Sequence, residues 1–255
     1  MTHAAAAPTA QTRPRTSTLD RPRLMKLAET EYDRFSVVLQ DMRAEDWIRP
    51  TDCPGWDVRA IAGHALGMAE MSASVRDGRR QQKAAAKRGG EFIDELTALQ
   101  VEEHARLSTR LLTDRYVATV PRAARTRRRT PWLLRRRTLP IPQSVGGKRE
   151  SWTLGYLVDT VLTRDPWMHR IDIARATGRP PTLSADHDGV LVADVVTEWA
   201  GRHGHPCQVE LTGPAGGSWT FGTGGPRIEM DAIEFCRTAS GRESGTDLMA
   251  TEVPF

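Results

Sequence analysis

The sequence predicts a mainly α protein: a four-helix bundle with one long crossover, followed by a small α+β domain. Two observations lead there. Up to Thr177, apolar residues recur three and four apart in four long segments, the pattern of helices that bury one face. After about residue 180, short alternating runs surround Gly213-Pro-Ala-Gly-Gly217 and the stretch from Gly222 to Pro226, the pattern of strands and turns. The expected organisation is a disordered tail over residues 1–18, a bundle over 19–180 and an α+β domain over 181–255. At 255 residues, with 39% hydrophobic and 27% charged, the chain is long enough to bury such a core.

Residues 1–18 are rich in Ala, Thr and Pro, a composition that does not pack. The first helix begins near Asp20, with Pro22 in its first turn, where a missing N–H costs nothing. Leu24, Leu27, Ala28, Phe35, Val38, Leu39 and Met42 fall at helical spacing along it. Thr51-Asp-Cys-Pro-Gly55 is a turn-rich break, and Asp57 is an N-cap for the second helix. The inner face of that helix carries Ile61, His64, Ala65, Met68 and Val75.

The third helix spans residues 92–116, with Leu96, Leu99, His104, Leu107 and Leu111 as its stripe. Residues 119–148 read as a long irregular connection, a kind of segment often functional or mobile. The fourth helix spans residues 153–177 and ends before Gly178; Leu157, Val161, Asp165, Met168, His169, Asp172 and Ala176 share one side. Pro166 is expected to kink it, because proline removes a donor and clashes with the preceding turn.

In the last third, Val190, Leu191, Val195, Val196 and Trp199 mark a helix closed near Gly204. Val209 with Leu211, then Trp219 with Phe221, mark two strands, and residues 227–230 a third. Asp231, followed three residues on by Glu234, opens a short helix that ends at Gly241.

The net charge is only +4, and the basic excess is local. No Asp or Glu lies between Tyr116 and Arg149, where Arg122, Arg125, Arg127 to Arg129 and Arg135 to Arg137 crowd together. Such a run suits nucleic acid, an anionic small molecule or simply water. One aromatic, Trp132, and no recognition motif argue against nucleic acid. Three scattered cysteines, Cys53, Cys207 and Cys236, exclude a disulfide framework. The first 18 residues lack the apolar run of a signal peptide, and no stretch approaches the roughly 18 apolar residues of a membrane span. A reduced, cytoplasmic protein without a membrane partner is the expectation.

The chemistry concentrates on two helices. His64 stands alone, whereas Asp165 and His169 are one helical turn apart and project the same way. Two imidazoles and one carboxylate converging between helices suit a divalent metal with an open position. The complex keeps a net charge near +1, which favours an anionic fourth ligand such as hydroxide or thiolate. Asp172 can orient the His169 ring or serve as a base. Plainer roles remain open: His64 as a hydrogen-bonded core residue, Asp165 as a cap for a helix restarting at Pro166, and an Asp165–His169 pair without metal. Cys53 is expected to be a small buried thiol. Trp56 and Trp167 are expected to be packing anchors, and His104 a core residue, with lining of the same cavity as its alternative role.

These segments resemble a known family. Cys53-Pro-Gly-Trp-Asp-Val-Arg-Ala-Ile-Ala-Gly-His64 is similar to the opening of helix two in the DinB-like, mycothiol-dependent maleylpyruvate isomerase family. Arg164-Asp-Pro-Trp-Met-His169-Arg-Ile-Asp-Ile-Ala-Arg-Ala-Thr-Gly178 is similar to its metal-binding fourth helix. Ile228-Glu-Met-Asp-Ala-Ile-Glu-Phe-Cys-Arg-Thr-Ala-Ser-Gly-Arg242 resembles the end of the sterol-carrier-like domain that follows the bundle.

The resemblance implies His64, Asp165 and His169 as ligands of a divalent metal, usually zinc, and mycothiol as thiol co-substrate. It implies Arg242 facing the site; Arg242, and Asp172 by its place three residues past His169, are the candidate catalytic residues. The chemistry implied is S-transfer or cis–trans isomerisation of a small electrophile. One departure stands out: the middle ligand is Glu in the characterised isomerase pattern and His in many relatives, whereas this chain has the shorter Asp165. That substitution is the argument for the alternative, a non-catalytic metal- or ligand-binding regulatory module of the same fold.

Overall fold

The structure is a computed structural model and describes residues 14–255. Helix α1 (Arg21–Gln40) starts where the Asp20 side chain accepts from the Arg23 N–H, and buries Leu24, Leu27, Ala28, Phe35 and Leu39. Helix α2 (Val58–Ala73) starts at Asp57, whose carboxylate accepts from the Ala60 N–H at 2.8 Å. Ser74 ends α2 and caps helix α3 (Val75–Ala86). Val75, expected on the inner face of the second helix, therefore opens a new helix and is exposed.

The single helix expected over residues 92–116 is two, α4 (Phe92–His104) and α5 (Thr109–Arg129). The Ser108 hydroxyl accepts from the Leu111 N–H and restarts the helix in a new phase, so Leu112 and Tyr116 are buried and Leu111 is exposed. Helix α5 runs through Pro121 to Arg129, well into the stretch expected to be irregular. Pro121 lies on the exposed side, where water can satisfy the carbonyl it leaves free. The shorter connection that remains holds a single turn, α6 (Trp132–Arg135), and a hairpin of β1 (Gln143–Val145) with β2 (Lys148–Glu150).

Helix α7 (Leu162–Thr177) follows a π-helical turn, Tyr156–Val161, and ends at Gly178 in the left-handed conformation. Pro166 sits in its interior and cannot donate to the Leu162 carbonyl. That carbonyl accepts instead from Arg127 Nη1 at 3.0 Å. The same guanidinium donates to the Val158 carbonyl at 2.7 Å, to Thr163 Oγ1 at 2.6 Å and to the Tyr32 hydroxyl at 3.0 Å. So Arg127, one of the crowded arginines, is a buried pin across the π-to-α transition, while Arg122, Arg125, Arg128, Arg129, Arg136 and Arg137 are exposed.

Helices α1, α5, α2 and α7 pack in a ring, each against its neighbours, and α3 and α4 flank α2. Beyond α7, α8 (Val190–His203) precedes a sheet ordered β4-β3-β5, built from β3 (Cys207–Thr212), β4 (Gly217–Phe221) and β5 (Arg227–Asp231), and α9 (Ala232–Ala239). β3 is antiparallel to β4 and parallel to β5. The three strands and both helices match the elements expected in this third. Trp167, Met168 and Ile171 of α7 join the core of α8, α9 and this sheet, whereas Ile173 belongs to the bundle core. The two units therefore share one helix.

Of the tail expected over residues 1–18, residues 1–13 lie outside those described. Residues 14–18 do not hang free: Arg15 bridges to Trp152 and pairs with Glu150 at 3.1 Å, and Ser17 accepts from the Thr160 hydroxyl at 2.8 Å. The buried Glu150 carboxylate and the π-turn supply partners that composition alone does not reveal. Among the described residues no helix is long and apolar enough to cross a membrane.

Candidate metal centre

Because α2 and α7 are neighbours in the ring, His64 comes to face Asp165 and His169. Their imidazole centroids are 5.1 Å apart. Asp165 Oδ1 lies 3.1 Å from His64 Nε2 and 3.5 Å from His169 Nε2. These three donor atoms all fall within 4.8 Å of one another. The shorter aspartate therefore still reaches both rings. Two imidazole nitrogens and a carboxylate oxygen, converging from two buried helices, form a donor set that fits zinc or a similar cation.

The far nitrogen of each ring is already engaged. His64 Nδ1 meets Gln100 Oε1 at 2.8 Å, and His169 Nδ1 meets Asp172 Oδ2 at 3.0 Å. A carboxylate only accepts, so His169 donates from Nδ1 and turns Nε2 toward Asp165. Asp172 is fully buried, and Arg242 donates to both of its oxygens, from Nε at 2.7 Å and from Nη2 at 2.8 Å. Burial would raise the Asp172 carboxyl, but His169 and Arg242 hold it down at about 2. Arg242 thus comes from beyond α9 to grip the carboxylate behind a ligand-bearing ring.

Burial would likewise raise Asp165, yet the His64 and His169 rings hold it well below the usual carboxylate range. For His169, burial alone would favour the neutral ring; Asp165 first, then Asp172, push it well above the ordinary imidazole value. A proton on Nε2 therefore occupies the position that a divalent cation would take over.

Trp56 and Cys53 close one side. The Trp56 ring centroid lies 5.2 Å from that of His64 and 6.1 Å from that of His169, so this tryptophan packs on both rings. Cys53 is only half-buried, with Sγ 3.4 Å from Asp172 Oδ2 and 3.9 Å from His169 Nδ1. Its position just before the second helix already put it within reach of the site, but it is not the buried thiol expected. His104 does not join the donor group; it bonds the Gln100 carbonyl and Glu70.

Gln100 and Gln81 were missed. The available signal was position: Gln100 stands four residues from both Leu96 and His104, on the stripe α4 buries, and Gln81 is three past Gly78 and four before Ala85 on the buried face of α3. Besides the set of His64, Asp165 and His169 and the adjoining Cys53, His169 and Asp172, a third group of ligand-type residues, Glu31, His187 and Asp188, lies at the junction of α1, α7 and α8. There Arg170 donates to Glu31 at 3.0 Å and to Asp188 at 2.7 Å, and Arg34 to Asp188 at 2.8 Å. Two guanidiniums neutralise the two carboxylates, so this cluster is an ion-pair lock between the units.

Residues 28–174 match the family described as the mycothiol maleylpyruvate isomerase N-terminal domain. An uncharacterized protein of Mycobacterium tuberculosis, found in two strains, is 27% identical over 232 residues, covering 84% of this chain and 83% of its own length. Crystal structures of the mycothiol-dependent maleylpyruvate isomerase and of a histidine-to-alanine mutant of it superpose with a TM-score of 0.55. The match is 14% identical and covers 89% of this chain and 91% of theirs. At that identity the likeness establishes a shared fold.

Proposed function

The chain belongs to the mycothiol maleylpyruvate isomerase N-terminal domain family, and from that premise we propose that it is a zinc-dependent enzyme using mycothiol as thiol co-substrate on a small electrophile. The observation that carries the reading is the convergence of His64 Nε2, Asp165 Oδ1 and His169 Nε2 while both outer ring nitrogens are bonded elsewhere.

In this proposal His64, Asp165 and His169 hold the cation. When bound, it supplies Lewis acidity that favours thiolate over thiol near neutral pH. The thiolate sulfur bonds to the electrophilic carbon, and the displaced electron pair moves onto the conjugated carbonyl. Rotation about the new single bond, then return of the pair and loss of thiolate, gives cis–trans isomerisation. Protonation of the adduct instead leaves a thioether, the outcome of S-transfer.

The chain's own groups divide the remaining work. Asp172 is fully buried and bonded on both oxygens, so it is assigned to holding the His169 ring rather than to taking a proton from substrate. Arg242 fixes Asp172 and brings positive charge from the C-terminal unit to the edge of the site. Trp56 shields the two rings from water on one side.

The test is thiol-dependent loss of an electrophile such as maleylpyruvate, followed with mycothiol added and with zinc quantified by elemental analysis. Native protein is expected to carry about one zinc per chain and to turn over only with thiol. His169→Ala should lose both properties. Full turnover by a folded His169→Ala protein, or native protein that never takes up metal, would overturn the proposal.

A further inference from the structure

Behind His64 lies a chain of buried amides that runs in one direction only. Gln81 of α3 donates from Nε2 to the Gly67 carbonyl of α2 at 3.0 Å. A carbonyl can only accept, so the amino end of Gln81 must face it. Gln81 Oε1 is left to accept from Gln100 Nε2 at 2.8 Å. Gln100 in turn presents Oε1 to His64 Nδ1 at 2.8 Å, and its remaining N–H points to Met68 Sδ at 3.2 Å. Each link forces the next, so Nδ1 of His64 must carry hydrogen. Its Nε2 then faces Asp165 Oδ1 at 3.1 Å.

The chain cannot reverse piecemeal. Turning one amide sets N–H against N–H on one side and oxygen against oxygen on the other. Turning both sets Gln81 Oε1 against the Gly67 carbonyl. Both glutamines are fully buried, and His64 is 2% exposed, so water does not compete for these groups. The approach of α4 that places Gln100 depends on Gly67, where a Cβ would lie only 2.5 Å from Gln100 Cγ.

We infer that Gln81 and Gln100 are positioning residues: they carry the polarity of the Gly67 carbonyl to His64, fix its Nδ1–H tautomer and present Nε2 to the cation. The inference deepens the metal-dependent reading above and rests on it for its binding assay. His169 is oriented by a carboxylate, His64 by a neutral amide, so the two rings are held by partners of different charge.

The experiment measures zinc affinity by competition with a chromophoric chelator, and the visible spectrum of the cobalt-substituted protein, for native and variants checked for folding by circular dichroism. Gln100→Leu is expected to weaken zinc binding by about 10- to 100-fold and to alter the cobalt spectrum. Gln100→Glu, which keeps an oxygen facing Nδ1 but sets its other oxygen against Gln81 Oε1, should recover only part of the affinity lost in Gln100→Leu. Gln81→Leu should weaken binding less than Gln100→Leu. The double variant should be no weaker than Gln100→Leu alone, because Gln81 acts only through Gln100. A mere packing defect would make the two losses add.

Native affinity and spectrum in folded Gln100→Leu would overturn the inference, as would additive losses. Should Gln100→Leu not fold, Gln100→Met, closer in shape, takes its place under the same criteria. If native protein binds no zinc, the metal-dependent reading falls by itself. Nitrogen NMR of the metal-free protein in alkaline buffer then decides the relay: hydrogen on His64 Nδ1 upholds it, and hydrogen on Nε2 alone ends it.

Discussion

Arg242 donates from Nε to Asp172 Oδ1 at 2.7 Å, joining the C-terminal unit to the helix that carries His169. Arg242→Ala leaves the Asp172 carboxylate buried without its guanidinium. The expected cost is about 2–4 kcal/mol in thermal or urea unfolding, together with roughly tenfold weaker zinc binding because the His169 ring is less firmly held. Arg242→Lys should recover only part of both, since an ammonium cannot make the paired contact. If Arg242 instead serves only to bind substrate, KM will rise while stability and zinc affinity stay native.

In the proposed metal centre, zinc and protons would compete for His169 Nε2. Burial acts against the charged ring, but Asp165 and Asp172 raise His169 well above the ordinary imidazole value, so the proton is present at neutral pH when no cation is bound. Metal uptake must displace it. Apparent zinc affinity should therefore rise with pH, by about tenfold per unit for each proton displaced, and level off only above the raised value. Calorimetry in buffers of different ionisation enthalpy would count the proton. A flat affinity profile from neutral to alkaline pH would contradict this.

Arg127 satisfies the Leu162 carbonyl that Pro166 leaves without a donor, and the Val158 carbonyl in the π-turn. Arg127→Leu is expected to destabilise the protein by about 2–4 kcal/mol, the cost of stranding two or more buried acceptors. Substitutions of its exposed neighbours, such as Arg122→Ala, should stay within about 0.5 kcal/mol of native. Equal, small effects at both positions in chemical denaturation would refute the pin.

Glu198 of α8 accepts from Arg164 at 2.8 Å and from Arg202 Nη2 at 2.7 Å. Burial would raise its carboxyl, but the two guanidiniums and the Tyr156 hydroxyl hold it at about 2. A depressed folded-state value means the unfolded chain takes up the proton first. The stabilisation, on the order of 3 kcal/mol, is complete above the ordinary glutamate range and is lost as pH falls from there toward about 2. Glu198→Gln should lower stability at neutral pH and flatten the acid limb of the stability profile. An acid limb identical to native would show that other groups govern it.

Periodicity located α1, α2, α8, the three C-terminal strands and α9 well, because in each the buried face is continuous and the cap is a local signal such as Asp20, Asp57 or Asp231. It failed where a single hydroxyl resets helical phase, at Ser74 and Ser108, since serine is common in exposed loops as well. The stretch expected to be irregular is helical as far as Arg129, because Pro121 stands on a wet surface, whereas α7 runs through Pro166 as expected, with a buried guanidinium meeting the carbonyl it frees.

By itself the sequence determined which side chains were available for a metal: a histidine on the second helix, and an aspartate and a histidine one turn apart on a later one. That spacing is a property of the helix and is written in local order. The tertiary structure alone decided that α2 and α7 would be neighbours, that Arg242 would reach Asp172 across 70 residues, and that Gln81 and Gln100 would stand behind His64. These contacts depend on how helices approach through space, with Gly67 admitting α4, and no local period encodes an approach.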